Sequence, residues 1–230
     1  IIAVAAVLYL SFGKKEPPLL TINTADSVQY ITLADNSTAI VNRYSNLAYP
    51  ETFETGQREV TLIKGEVFFR VTADAAKPFV VNTSTISIKV VGTAFNVIVN
   101  EQSVSVSVDE GKVLVYYATD SVYLDADKAA SFNPAQQKFE VTESNQNEWA
   151  YASGKLVFIN TPLEEVFNHI EKLQNCEIQV SNAEIGNCKL TATFESVSTD
   201  YMLNLITEAL NLSVTRNDER TFKVEGNGCH

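Results

Sequence analysis

A two-residue rhythm runs through the chain from about Thr21 to Val141, and no helical pattern interrupts it. Residues 28–33 alternate, Asp35, Asn36 and Ser37 break the run, and 38–41 resume it. Residues 59–63 lead to Lys64-Gly65 and then to a second run at 66–71. Further runs follow at 78–81, 86–91, 95–99, 104–108 and 112–117. A period of two puts successive side chains on opposite faces of a strand, so each run can bury one face. Short strands at this spacing, with turn residues between them, predict an all-β domain over 21–142: a sandwich, a roll or a solenoid-like stack.

The rhythm changes after the polar stretch 142–147, where a domain boundary is expected. Trp149, the single tryptophan, is expected to pack at the junction of the two halves. Residues 155–159 read as a strand. Thr161, Pro162 and Glu164 predict a helix start, with Thr161 as N-cap, Pro162 first in the helix and Glu164 closing a capping box. Leu163, Val166, Phe167, Ile170 and Leu173 then form one apolar stripe at helical spacing. Strands at 176–180 and 189–194 follow. Ser198 caps a second helix, with Asp200 in its first turn. Residues 212–215 and 221–224 close as a hairpin around Asn217-Asp218. The order β-α-β-β-α-β-β predicts a small α+β domain over 143–230, with a weak repeat of strand–helix–strand units.

Charge narrows the function. Asp and Glu number 28 against 17 Lys and Arg, a net charge of −11. Phosphate backbones need a basic face, so no nucleic-acid partner is expected. Two histidines and three cysteines stand without CxxC or HExxH spacing, so no metal site is expected. GxGxxG, GxxxxGK[ST] and GxSxG are absent as well, and no cofactor and no enzymatic activity are expected. Glu66, beside Val67, Phe68 and Phe69, is expected to face solvent on its alternating strand. His169 is expected at the border of the helix stripe.

The chain begins Ile1-Ile2-Ala3-Val4 and stays almost wholly apolar to Phe12, where Gly13-Lys14-Lys15 follows. A spanning helix needs about 20 such residues. One reading is the core of a signal peptide, but no A-x-A cleavage site follows. The flanks favour the other, the C-terminal half of a transmembrane anchor over 1–13. Residues 14–20 then read as a stiff, exposed linker.

Several motifs occur together and in order. They are Leu33-Ala34-Asp35-Asn36-Ser37, Tyr49-Pro50, Gly65-Glu66-Val67-Phe68-Phe69 and Lys77-Pro78-Phe79-Val80-Val81. Val91-Gly92-Thr93-Ala94-Phe95-Asn96-Val97 and Glu110-Gly111-Lys112-Val113 complete the set. Together they resemble the FecR family of bacterial transmembrane sigma-factor regulators. Trp149 and the run from Leu156 to Leu163 resemble the C-terminal domain that accompanies FecR in Bacteroidetes-type proteins. That module is similar to the short N-terminal (STN) domain of secretins and TonB-dependent transporters.

The resemblance implies a signal relay at the inner membrane. The described half would be periplasmic, on a single-pass anchor, and a cytoplasmic segment preceding residue 1 would contact an extracytoplasmic-function sigma factor. The signalling domain of a TonB-dependent outer-membrane transporter would dock on the C-terminal half, so regulating glycan or iron-chelate uptake genes. Small α+β domains often dock by adding a strand to an open edge. Strand 189–194, with Lys189, Thr191 and Thr193, is one docking candidate. The final hairpin, with Leu212, Val214, Phe222 and Val224, is the other; for both, an internal position is the alternative. Within the family, Gly-Thr in the Gly92-Thr93 motif can cleave itself by an N-to-O acyl shift; the alternative is a glycine at a bulge. An oxidising periplasm would favour a Cys176–Cys188 disulfide over two buried thiols, leaving Cys229 unpaired. An extracytoplasmic carbohydrate-binding β-sandwich is the competing function. It would need exposed coplanar aromatic rings.

Overall fold

The computed structural model describes residues 17–54 and 56–229. The anchor expected over 1–13 lies outside the described residues. The chain divides into two compact units that meet between Thr142 and Glu143.

In the first unit the strands are β1 (Leu19–Asn23), β2 (Gln29–Thr32), β3 (Thr38–Val41), β4 (Asn46–Pro50) and β5 (Arg58–Arg70). After these come β6 (Phe79–Asn82), β7 (Ser87–Val90), β8 (Ala94–Val99), β9 (Val104–Glu110) and β10 (Lys112–Tyr117). β11 (Asp120–Asp125), β12 (Lys128–Asn133) and β13 (Lys138–Glu143) end the series. Leu19 and Leu20, read above as linker, pair with Pro50 and Tyr49 as the start of β1.

One long strand organises this unit. The two runs read on either side of Lys64-Gly65 are one strand; β5 runs 13 residues through it. Its first part pairs with β4 and, in parallel, with β6. Its second part pairs with β3 and β8. The sheet therefore folds at β5 into two layers, β1-β4-β5-β6-β7-β10-β11 and β2-β3-β5-β8-β9-β12-β13. Gly65 sits at the fold with φ +91°, and a Cβ there would lie 2.5 Å from the Ser45 Cα. Only glycine meets both demands without strain. The Ser45 hydroxyl accepts the Glu66 N–H at 2.8 Å, which keeps a buried main-chain donor satisfied at the fold.

Inward side chains of the two layers form one core. Phe69 of one layer stacks on Phe95 at 5.4 Å and meets Phe79 of the other layer at 5.9 Å. Aromatic contacts of this kind add to the burial that drives the layers together.

The second unit starts with a 3-10 turn, Gln146–Trp149, and a short helix α1 (Ala150–Ser153). Next are β14 (Lys155–Pro162), α2 (Leu163–Gln174), β15 (Glu177–Val180), α3 (Ala183–Gly186) and β16 (Lys189–Glu195). α4 (Thr199–Ala209), β17 (Ser213–Arg216) and β18 (Thr221–Glu225) complete it. The short α1 and α3 are additions to the order read from the sequence. β14 and β16 pair antiparallel. β18 lies between β15, parallel to it, and β17, antiparallel.

Both helices turn apolar stripes inward. Leu163, Val166, Phe167 and Ile170 of α2 are buried, as are Met202, Leu203 and Ile206 of α4. They share a core with Leu156, Phe158, Leu190 and Phe194 of one sheet and Ile178, Phe222 and Val224 of the other. Ser198 caps α4, accepting the Tyr201 N–H at 3.3 Å. The start of α2 differs from the expected box. Pro162 is the N-cap and makes no side-chain cap bond, while Thr161 belongs to β14. The Leu163 N–H donates instead to the Cys188 carbonyl at 2.7 Å, so a main-chain bond replaces the cap. Trp149 is buried in the 3-10 turn.

Candidate functional site

The second unit has two small sheets, and each sheet has two edges. A main-chain edge is the simplest docking element, because every unpaired N–H and C=O can take a partner strand.

Side chains occupy outward main-chain groups on two of these edges. The Asn147 amide donates to the Val157 carbonyl at 2.9 Å and accepts the Val157 N–H at 2.8 Å, so it occupies the outer edge of β14. On β15 the Glu171 carboxylate accepts the Ile178 N–H at 2.5 Å. The other two edges, β16 and β17, pair with no further strand among the described residues. Lys189, Thr191 and Thr193 lie on β16, and all three are exposed. Val214 lies on the edge strand β17, with Leu212 just before it. Phe222 and Val224 belong to the central strand β18 and are buried, 3% and 0% exposed. They cannot meet a docking partner: the hairpin offers its first strand only.

The cysteines pair differently from the expectation. Cys188 is bonded to Cys229, with Cα atoms 5.5 Å apart, and Cys176 is free. Cys176 closes the end of α2, while Cys188 lies between α3 and β16. The tail after β18 returns to α3, where Gly228 lies against Glu184, and this brings Cys229 to Cys188. Burial, aided by the Glu171 carboxylate, pushes the Cys176 thiol up to about 11.

At Gly92-Thr93 the chain is crowded. A Cβ on Gly92 would lie 2.6 Å from the Ala73 Cβ, so close packing alone requires glycine. The buried Thr93 hydroxyl donates to the Lys112 carbonyl at 3.0 Å. That partner is an acceptor and cannot remove a proton from an attacking hydroxyl in the way a general base does.

Glu66 departs from the solvent-facing expectation. It is buried and accepts from Asn42 Nδ2 at 2.9 Å and Asn96 Nδ2 at 2.8 Å. The sheet folds beside it, which turns this position inward. Arg58, 2% exposed, is a buried cation that the alternation did not single out. Its Nη1 donates to Asp35 at 2.6 Å and to the Thr72 carbonyl at 2.8 Å, and its Nε donates to the Lys77 carbonyl at 2.7 Å. The first network ties β8 and the residue after β3 to β5, the second ties loops to β5, and both read as structural. His169 sits half-buried near Asn145, with 3.4 Å between Nε2 and Nδ2. Burial holds its pKa below the ordinary imidazole value. No cluster of metal-ligating side chains occurs among the described residues, and no described helix is long and apolar enough to cross a membrane.

Comparisons with known proteins give matches in both units. Residues 20–114 match the family described as FecR protein, and residues 155–224 match FecR, C-terminal. Two crystal structures from Parabacteroides distasonis ATCC 8503, each of a protein named as an anti-sigma factor, superpose with a TM-score of 0.64. They share 26% and 25% identity, covering 92% and 91% of this chain and 100% of their own. No curated protein matches the chain. Fold and matches together define a regulator of a sigma factor. The chain belongs to the FecR family of anti-sigma factors.

Proposed function

We propose that this chain is the periplasmic, signal-receiving region of an inner-membrane anti-sigma factor. The apolar run before Gly13 anchors it, and its target is an extracytoplasmic-function sigma factor. The signal comes from a TonB-dependent outer-membrane transporter, whose signalling domain docks on the second unit. The genes controlled serve uptake of a nutrient, a glycan or an iron chelate. The second unit, with helices and two small sheets around one core, is STN-like in this reading.

One observation carries the proposal. In a FecR-family chain, the second unit occupies main-chain groups on two strand edges with side chains and leaves β16 and β17 open. Main-chain edges accept an added strand from a partner without any cofactor or catalytic group.

Calorimetric titration of the chain with the signalling domain of the transporter encoded beside it tests the reading. A saturable 1:1 isotherm is expected, and it should weaken when the β17 edge is blocked by Val214→Pro. No heat and no co-elution at high concentration would overturn it.

A further inference from the structure

We propose that two copies of this chain pair edge to edge along β16, antiparallel, about a two-fold axis at Ala192.

The direction of each main-chain group on β16 follows from its neighbours. Val157 gives its N–H and C=O to Asn147, away from β16, so its cross-strand neighbour Thr193 also turns outward. The Cys188 carbonyl bonds the Leu163 N–H at 2.7 Å, and the Ser196 N–H bonds the Gly154 carbonyl at 2.8 Å; both lie on the β14 side. The alternation is therefore consistent from 188 to 196. Even-numbered residues bond toward β14. Lys189, Thr191, Thr193 and Glu195 offer N–H and C=O at the open edge.

The sequence of that strand is self-complementary. Lys189-Leu190-Thr191-Ala192-Thr193-Phe194-Glu195 is symmetric in character about Ala192. An antiparallel two-fold places Lys189 opposite the second copy's Glu195, Leu190 opposite Phe194 and Thr191 opposite Thr193. Thr–Thr and opposite-charge pairs are favourable across strands. Hydrogen-bond parity agrees. The Thr191–Thr193 pairs fall at hydrogen-bonded positions. Ala192 faces its own copy at a non-hydrogen-bonded position, where side chains approach most closely and the smallest fits best.

Charges on an edge strand usually guard it against self-pairing. Here they have opposite signs at mirrored positions, and neither Lys189 nor Glu195 has an ion pair among the described residues. Thus the guard becomes an attraction. The remaining edges lack this pattern. Side chains already hold main-chain groups on β14 and β15, and β17 turns only Val214 and Arg216 outward and has no mirrored charges. The product is an isologous dimer with a continuous β14-β16-β16-β14 sheet. It does not depend on the transporter reading.

Sedimentation equilibrium of the full chain alone, over a concentration series, tests this. A reversible monomer–dimer equilibrium is expected. Lys189→Glu and Glu195→Lys each put two like-charge pairs into the seam, and each should weaken dimerisation about tenfold. An equimolar mixture of these two variants should recover wild-type dimerisation, because their charges complement each other. Thr193→Pro removes one outward N–H, a change an edge strand tolerates, and should abolish the dimer with an unchanged circular dichroism spectrum. A wild-type chain that stays monomeric throughout would overturn the proposal. So would association that survives both charge variants.

Discussion

The Asn147 side chain pairs with Val157 as a neighbouring strand would, one bond in each direction, at 2.9 and 2.8 Å. One amide thus ends the β14–β16 sheet on one side and leaves growth possible only on the other.

Asn147→Ala removes both bonds and exposes the β14 edge. Loss of two such bonds should lower the stability of the second unit by about 1–3 kcal/mol. Urea denaturation followed by Trp149 fluorescence reads this, since the tryptophan lies in the same 3-10 turn. An unchanged midpoint would show that water replaces the amide at no cost.

Asp35 is the anionic partner of the buried Arg58 guanidinium. Asp35→Ala leaves that charge with carbonyl acceptors alone. Removing one partner of a buried pair costs about 3–5 kcal/mol, and Asp35 is partly exposed, so the lower end is expected. Thermal unfolding of the first unit measures it. Arg58→Lys should not rescue stability, because an ammonium cannot reproduce the fork that reaches Asp35, Thr72 and Lys77 together.

His169 carries a pH dependence. Burial lowers its pKa in the folded chain, with Lys172 acting the same way and Glu165 opposing. The unfolded chain therefore binds the proton first. Stability should be full above about pH 6.5, fall as pH drops through that value, and level off below the folded pKa. His169→Gln should flatten this part of a stability–pH curve. A wild-type curve that rises as pH falls through 6.5 would contradict the burial described.

Alkylation with mass spectrometry checks the thiols. The unfolded, unreduced chain should take one label, at Cys176, and the reduced chain three. In the folded chain Cys176 should react slowly at neutral pH, since its pKa of about 11 leaves little thiolate. Cys229→Ser should cost about 2–4 kcal/mol through the lost cross-link.

Gly92→Ala brings a Cβ to 2.6 Å from that of Ala73. Overpacking of this kind should cost about 1–3 kcal/mol. The wild-type chain should stay intact on long incubation, because Thr93 is hydrogen-bonded to Lys112 and not to a base. Fragments ending at Gly92 and beginning at Thr93 would show instead that the hydroxyl leaves this position and attacks.

The alternation over 21–142 was enough to read strands, because burial of one face writes itself into every second residue. It could not assign strands to layers. Lys64-Gly65 separated two runs because glycine marks both a turn and a fold within a strand; only the approach of Ser45 distinguishes them. Glu66 was misread for the same reason. Ser198 announced α4 through its own side chain, whereas α2 begins on a bond from Cys188, 25 residues away, which local signals do not carry. The candidate edge on β16 was legible as a strand. That Asn147 and Glu171 occupy its competitors was not, since each acts on another element. Cys229 lies near the terminus, and its pairing with Cys188 depends on the path of the tail, which no local pattern carries.

β5 is an interior strand of both layers of the first unit. No boundary separates those layers without cutting through the middle of a strand. A recombination point anywhere between Arg58 and Arg70 would leave two fragments, each lacking part of the strand that both layers share. The unit should therefore fold only when β5 is left intact. Chimaeras with relatives should fold when joined at its rim loops or at the junction near 142–143, where the two units divide.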